Sequence, residues 1–304
     1  MQVLSGLDSL AKLPRAAALS VGNYDGVHLG HAHIIRKMVE AGPSAVALVT
    51  FEPHPLSVLK PAIAPPRLTP VPLKRDLLRA AGVTHLVELE PTAEVLSVTA
   101  EEFWARLRDD ARPSHIVEGP DFNFGKGARG NVGKLREWTR DSGVAFTVVE
   151  PYQVTLPDMH VVPVSSSLVR WLVARGRVAD AAACLGRPYT LRGKVIEGYK
   201  RGRTIGFPTA NLDVGDQLVP ADGVYSGVAH VDGAEHRAAV SIGTSPTFEG
   251  ARRQVEAYLL DFSGDLYRRQ MDLALVGWVR DQLRFPSVER LIERMNADIA
   301  LIAG

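Results

Sequence analysis

The apolar pattern of this chain changes once, near Gly186, and the two patterns require different architectures. Before that point, short aliphatic runs at residues 16–21, 45–51, 85–89, 114–118 and 144–149 alternate with helical stretches at 31–41, 73–81, 99–107 and 135–142. Strands buried on both faces read as unbroken apolar runs, and helices between them supply the crossovers. This half therefore predicts an open parallel sheet covered on both sides. Thr99 followed by Glu102 has the spacing of a capping box, which fixes the start of one helix. Two further helices are predicted at 165–175 and 178–185, split by Gly176. Beyond Gly186, strand patterns at 191–197, 223–231, 236–242, 254–262 and 270–279 follow closely, with Asp232-Gly233 and Ser263-Gly264-Asp265 as turns. Such spacing favours an antiparallel barrel over another α/β layer. A last helix from Ser287 carries Val288, Leu291, Ile292 and Met295 on one stripe. The expected domains are 1–186 and 187–304 of the 304 residues, and the proline-rich segment 61–72 reads as an ordered loop or flap.

Composition narrows the class. Formal charge is only +1, so no global basic field points to nucleic acid as a partner, although local Arg and Lys can still meet a small anion. The single cysteine, Cys184, cannot form an intrachain disulfide, which fits a reducing compartment. No run of about 18 apolar residues offers a membrane span, and the N-terminus has no secretory pattern. These features lead us to expect a cytoplasmic protein without a membrane partner.

Two motifs carry chemistry. The first is Gly22-Asn23-Tyr24-Asp25-Gly26-Val27-His28-Leu29-Gly30-His31, placed between a strand and a helix. Backbone N–H groups at a helix start favour anions, Gly30 permits close approach, and His28 and His31 can stabilise charge on a transferred phosphoryl group. Two histidines in a helix cap are the plain alternative. Neither a Rossmann Gly-x-Gly-x-x-Gly nor a P-loop is present at this turn. The second motif pairs Gly193-Lys194-Val195 with Gly202-Arg203-Thr204-Ile205-Gly206-Phe207-Pro208-Thr209-Ala210-Asn211. Its glycines allow close backbone approach, and Thr209 and Asn211 offer oxygens to Mg²⁺ or donors to phosphate. A capped turn is the alternative there.

These motifs resemble the bacterial bifunctional riboflavin kinase/FMN adenylyltransferase family, the FAD synthetases. Further segments agree in order: Phe51-Glu52-Pro53-His54-Pro55, Gly119-Pro120-Asp121-Phe122-Asn123-Phe124-Gly125, Val164-Ser165-Ser166-Ser167-Leu168-Val169-Arg170, Gly223-Val224-Tyr225, residues 241–248 and residues 255–262. The resemblance implies an α/β nucleotidyltransferase-type, Rossmann-like domain followed by an antiparallel β-barrel riboflavin kinase domain. It implies ATP, riboflavin and FMN as substrates, FAD and FMN as products, and Mg²⁺ accompanying ATP.

Carried onto this chain, His28 and His31 are the catalytic pair of the first domain. Gly22, Asn23, Tyr24, Gly30 and Asn123 belong to the nucleotide site, and Ser165, Ser166 and Arg170 hold phosphates. Phe51, His54, Pro55, Phe122 and Phe124 lie towards the flavin. In the second domain Glu256 is the general base, Thr209 and Asn211 meet Mg·ATP, Gly193 and Lys194 help to orient ATP, and Phe207 and Arg280 face the flavin. Tyr24, Ser167 and Tyr258 stand where relatives commonly carry Phe, Thr and His, and Lys200 and Arg201 where they are richer in glycine. A monomer or weak homo-oligomer is expected. The rivals are a nucleotidyltransferase with another acceptor, and a barrel that only binds RNA or protein.

Overall fold

A computed structural model describes residues 1–198, 202, 205–244 and 253–303. Lys200, Arg201, Arg203, Thr204 and the motif residues Ser245, Pro246, Thr247 and Phe248 lie outside the described residues. The chain forms two compact units, one from Met1–Pro65 with Val71–Gln153, the other from Pro66–Pro70 with Val154–Gly304. The change of unit thus falls at Gln153, upstream of the expected boundary at 186.

The first unit is built on six parallel strands: β1 (Gln2–Ser5), β2 (Ala18–Val21), β3 (Val46–Phe51), β4 (His85–Leu89), β5 (His115–Glu118) and β6 (Ala145–Val148), in the order β1-β4-β3-β2-β5-β6. The edge strand β1 is absent from the sequence reading, because its half-exposed residues give no apolar run. Alternation explains the unbroken runs of the inner strands. Leu19, Ala47, Val49, Val87, Leu89 and Ile116 enter one core. Their neighbours Ala18, Val46, Leu48, Leu86 and Val117 enter the other. The unit's helices include α1 (Leu29–Glu40), α2 (Pro55–Leu59), α3 (Val71–Ala80), α4 (Ala100–Arg106) and α5 (Val132–Thr139). Ile35 and Met38 of α1 and Leu78 of α3 fill one core, while Phe103 and Trp104 of α4 and Leu135 of α5 fill the other. Each such side chain contributes about 1.5–3 kcal/mol by leaving water. The expected capping box of α4 is present, with Thr99 and Glu102 bonding reciprocally. The chain runs outward from β2 through β3 to β4 on one side and through β5 to β6 on the other. The switch point is therefore at the carboxyl ends of β2 and β5, where open α/β sheets bind ligands.

In the second unit, helices α6 (Ser166–Ala174) and α7 (Val178–Leu185) precede six barrel strands. These are β7 (Tyr189–Ile196), β8 (Ala210–Asp213), β9 (Gly223–Val231), β10 (Ala234–Gly243), β11 (Gln254–Leu259) and β12 (Gln270–Arg280), closed in the order β7-β8-β11-β10-β9-β12. Helix α7 packs on β7 and β12, which is why it belongs with the barrel. The strand missing from the sequence reading is β8, hidden inside a motif taken for loop. Helix α8 (Val288–Ala303) packs against β10. The excursion Pro66–Pro70 is ordered here: Leu218 N–H donates to the Arg67 carbonyl, and Gln217 Nε2 and Tyr189 Oη donate to that of Leu68.

Candidate active sites

In the first unit the glycine turn leaves β2 and delivers two imidazoles to the start of α1. His28 is the N-cap, its Nδ1 accepting the His31 N–H at 3.3 Å. The two rings stack with centroids 3.6 Å apart, and Tyr24 lies 4.8 Å from His31 on a further side. Gly30 is the second residue of the helix, so no side chain covers the amides there. Helix dipole, first-turn N–H groups and paired imidazoles thus meet at one point, an arrangement suited to a phosphate.

Beside this turn is a cavity of about 360 Å³, lined by Gly22, Asn23, Phe51, Pro55, Phe122, Asn123 and Phe124 among others. It brings together four sequence segments, within residues 21–23, 51–55, 95–103 and 121–125. His54 caps α2 by accepting the Leu56 N–H at Nδ1. A neutral ring that accepts at Nδ1 donates at Nε2, and 3.1 Å from that atom is the Asn23 side-chain amide. Phe122 and Phe124 stack at 5.2 Å. Phe124 is also a core residue, packed on Phe103 and Trp138, so it lines the cavity with an edge while anchoring the wall. Gly125 is required next to it: its φ is +72°, and a Cβ would stand 2.5 Å from the Ala100 nitrogen. Asn123 is exposed, its Nδ2 donating to the Asp121 carbonyl at 2.7 Å.

Ser165, Ser166 and Arg170 belong to the second unit. Ser165 caps α6 through the Leu168 N–H, Ser166 is its first residue, and Arg170 Nε donates to the Pro66 carbonyl.

Glu118 and Ser20, under the first site, escaped the sequence reading. Glu118, 2% exposed, accepts the Val21 N–H at 2.7 Å and the Ser20 hydroxyl at 3.1 Å. Burial pushes its carboxyl above the usual range, and these two bonds pull it back. The Tyr24 hydroxyl donates to Ser20 Oγ at 2.5 Å, and burial raises its pKa as well. The available signal was an acid closing an apolar strand, His115-Ile116-Val117-Glu118.

In the second unit a cavity of about 270 Å³ is lined by Gly202, Phe207, Thr209, Ser241, Glu256, Tyr258, Arg280 and Phe285, with Leu291, Met295 and Asp298 of α8. Barrel register assembles it. Ser241 of β10 lies opposite Glu256 of β11, and Glu256 opposite Asn211 of β8, so three polar side chains form a row across three strands. Val255, Ala257 and Leu259 are buried and alternate with Glu256 and Tyr258, which turns the row to the outer face. Asn211 is 8% exposed because Gly198 closes over it; a Cβ there would lie 2.1 Å from its Nδ2. Phe207 meets Tyr258 edge-on at 5.5 Å.

Arg280 reaches the cavity already paired. Its Nε and Nη2 hold Asp298 Oδ2 at 2.8 and 2.7 Å, and Phe285 lies 5.7 Å from its guanidinium. Asp298 in turn meets Arg294 at 3.0 Å. Gly193 and Lys194 do not line this cavity. Gly193 lets β7 close on β8, since a Cβ would stand 2.2 Å from the Asp213 carbonyl, and Lys194 is exposed. Gln282 and Asp298 were not singled out from sequence, and Ser241 only as the start of a matching segment; register places Ser241, whereas Gln282 follows β12 and Asp298 comes from α8.

The family model described as FAD synthetase matches residues 10–165, and the one described as Riboflavin kinase matches residues 185–303. A curated relative from Pseudomonas fluorescens, named bifunctional riboflavin kinase/FMN adenylyltransferase, is 36% identical across 99% of this chain and 96% of its own length. One of the same name from Escherichia coli K12 is 33% identical across 98% and 96%. A solved Streptococcus pneumoniae protein, described as a macrolide-efflux protein, matches with a TM-score of 0.89 and 27% identity, covering 100% of this chain and 99% of its own. A shared fold does not carry that description across. Among the described residues no helix is long and apolar enough to cross a membrane.

Proposed function

The chain belongs to the bifunctional riboflavin kinase/FMN adenylyltransferase family, and from that premise we propose how its two sites divide the chemistry. The barrel unit phosphorylates riboflavin to FMN with ATP. The α/β unit then joins FMN to the adenylyl group of a second ATP, giving FAD and pyrophosphate.

The observation that carries the assignment is the presence of different chemical equipment in the two units. A ribityl hydroxyl is a poor nucleophile until its proton is taken, and the barrel cavity holds a carboxylate, Glu256, in line with Asn211 and near Thr209. Glu256 accepts the proton of the 5′-hydroxyl as that oxygen attacks the γ-phosphorus, and ADP leaves. Phe207 and Tyr258 supply aromatic walls, and Arg280, fixed by Asp298, faces the flavin. FMN already carries an anionic phosphate nucleophile. Its attack on the α-phosphorus of ATP needs alignment and charge neutralisation, not a base. Donors of that kind are what the start of α1 offers, with His28 and His31 meeting the phosphates of ATP. Gly22, Asn23, Tyr24, Gly30 and Asn123 shape the nucleotide side. Phe51, His54, Pro55, Phe122 and Phe124 shape the flavin side.

Thr209 and Asn211 offer neutral, hard oxygens, a donor set suited to Mg²⁺ that is bound mainly by substrate phosphates. When bound, the ion neutralises charge on ATP and on the leaving group. We further take the protein to be a monomer or weak homo-oligomer of the cytoplasm, acting without nucleic acid or membrane.

A chromatographic time course with riboflavin, ATP and Mg²⁺, run beside one started from FMN, tests the reading. FMN preceding FAD in the first reaction, and FAD formed directly in the second, is the expected result. No FMN from riboflavin removes the kinase assignment, and no FAD from FMN removes the adenylyltransferase assignment.

A further inference from the structure

The two strands that flank the first site separate just before reaching it. β2 and β5 pair at Ala18↔His115 and Leu19↔Ile116, and no further. On the other side of β2 the contact with β3 runs on to Val21↔Val49, and the Gly22 N–H still donates to the Val49 carbonyl. The Val21 N–H points instead across the gap towards β5, where the carboxylate of Glu118 takes it at 2.7 Å. A side chain thus replaces the missing rung of the ladder. The second carboxylate oxygen accepts the Ser20 hydroxyl at 3.1 Å, and Ser20 Oγ accepts the Tyr24 hydroxyl at 2.5 Å. Tyr24 is 2% exposed, has a left-handed φ of 49°, and sets its ring 4.8 Å from His31. His31 in turn stacks on His28 at 3.6 Å.

We propose that Glu118 is a positioning residue for the adenylyl-transfer step, holding the end of β2 and, through Ser20 and Tyr24, the ring that supports His31. It rests on the reading of this site given above. The strand pattern Ile116-Val117 asks for an aliphatic residue at the next place, and an acid there carries a desolvation cost that an aliphatic would avoid. What the acid adds is a fixed width for the crevice at the switch point, together with a defined place for the loop that leaves β2. Small errors in alignment at such a site cost large factors in rate.

The test uses the whole chain, with riboflavin phosphorylation in the same preparation as an internal control. Glu118→Val removes both acceptors, and kcat for FAD formation from FMN is expected to fall by about tenfold or more, with riboflavin phosphorylation unchanged. Glu118→Gln keeps an acceptor for the Val21 N–H and a donor towards Ser20, and is expected to recover most of the loss. FAD formation by Glu118→Val within about twofold of the parent, too small a change for a lost alignment, overturns the proposal. So does an equal loss of both activities. If Glu118→Val does not fold, Ser20→Ala, which breaks the link between Glu118 and Tyr24, decides. Removing that hydroxyl is expected to lower kcat for FAD formation and to shift the His31 ring proton resonance; no change in either overturns the proposal. If the parent makes no FAD from FMN, the site reading has failed instead. The His31 resonance in Ser20→Ala then still reports on the chain of contacts.

Discussion

The two sites draw their chemistry from different parts of the polypeptide. At the first, backbone geometry does most of the work: a sheet that splays, a glycine turn and a helix start gather N–H groups and two imidazoles at one point. At the second, side chains do it: a closed barrel in fixed register sets Ser241, Glu256 and Asn211 in a row, with α8 providing the apolar floor. The nucleophiles account for the difference. A phosphate nucleophile needs neutralised charge, which backbone dipoles and imidazoles supply; a hydroxyl nucleophile needs a base, which only a side chain provides. The sites should therefore fail separately and by different amounts.

The largest separation is expected from Glu256→Gln. Riboflavin phosphorylation should drop by about 10²–10⁴-fold, while FAD formation from supplied FMN stays at the parent rate. Equal losses in both would break the contrast and make Glu256 a residue of the scaffold. His31→Ala is the mirror experiment, with FAD formation falling about 10²–10³-fold, the usual effect of losing one preorganised donor to a developing charge. Riboflavin phosphorylation is the activity that should persist.

The contrast also explains what the sequence disclosed. A helix-terminal site of the kind proposed is a local object: strand, glycine turn, cap and helix are contiguous, so residues 22–31 made that geometry legible without any tertiary information. The same locality made the Thr99–Glu102 box legible, and the bounds of α7 and β9. The barrel site is non-local. Glu256 and Asn211 are neighbours only through the β8–β11 register, and the motif resemblance, not spacing, pointed to them. β8 was hidden because four residues with Ala and Asn at its start give little strand signal beside Gly206 and Pro208. Glu118 was hidden for another reason. An acid at a strand end ordinarily meets solvent, and only the separation of β2 from β5 turns this one inward. Gly193 and Lys194 show the limit of reading a short motif: Gly193 serves the β7–β8 contact, and the Lys194 side chain is exposed.

Smaller effects sharpen the comparison. Asn211→Ala removes a nearly buried amide beside Glu256, and a lost hydrogen bond to a charged group is worth about 1.5–3 kcal/mol. The apparent KM for Mg·ATP in riboflavin phosphorylation should rise roughly tenfold, since about 1.4 kcal/mol is a factor of ten. A titration of ATP at fixed excess Mg²⁺ reads it. An unchanged KM with a reduced kcat would move Asn211 from holding nucleotide to aligning Glu256.

The smallest effect asks whether the units are also separate in stability. Thr99 accepts the Glu102 N–H, and Glu102 accepts that of Thr99, at the start of α4. Ala100, the first residue of that helix, is the surface on which Gly125 closes to hold the Phe122–Phe124 wall of the first cavity. Thr99→Ala should cost about 1 kcal/mol, the usual value for losing such a cap. In a unit of this size that lowers the midpoint of heat inactivation by about 2–4 °C. The shift should appear in FAD formation from FMN and not in riboflavin phosphorylation, because the cap belongs to the first unit alone. If both midpoints fall together, the units unfold as one, and the difference between the sites is one of chemistry but not of cooperative structure.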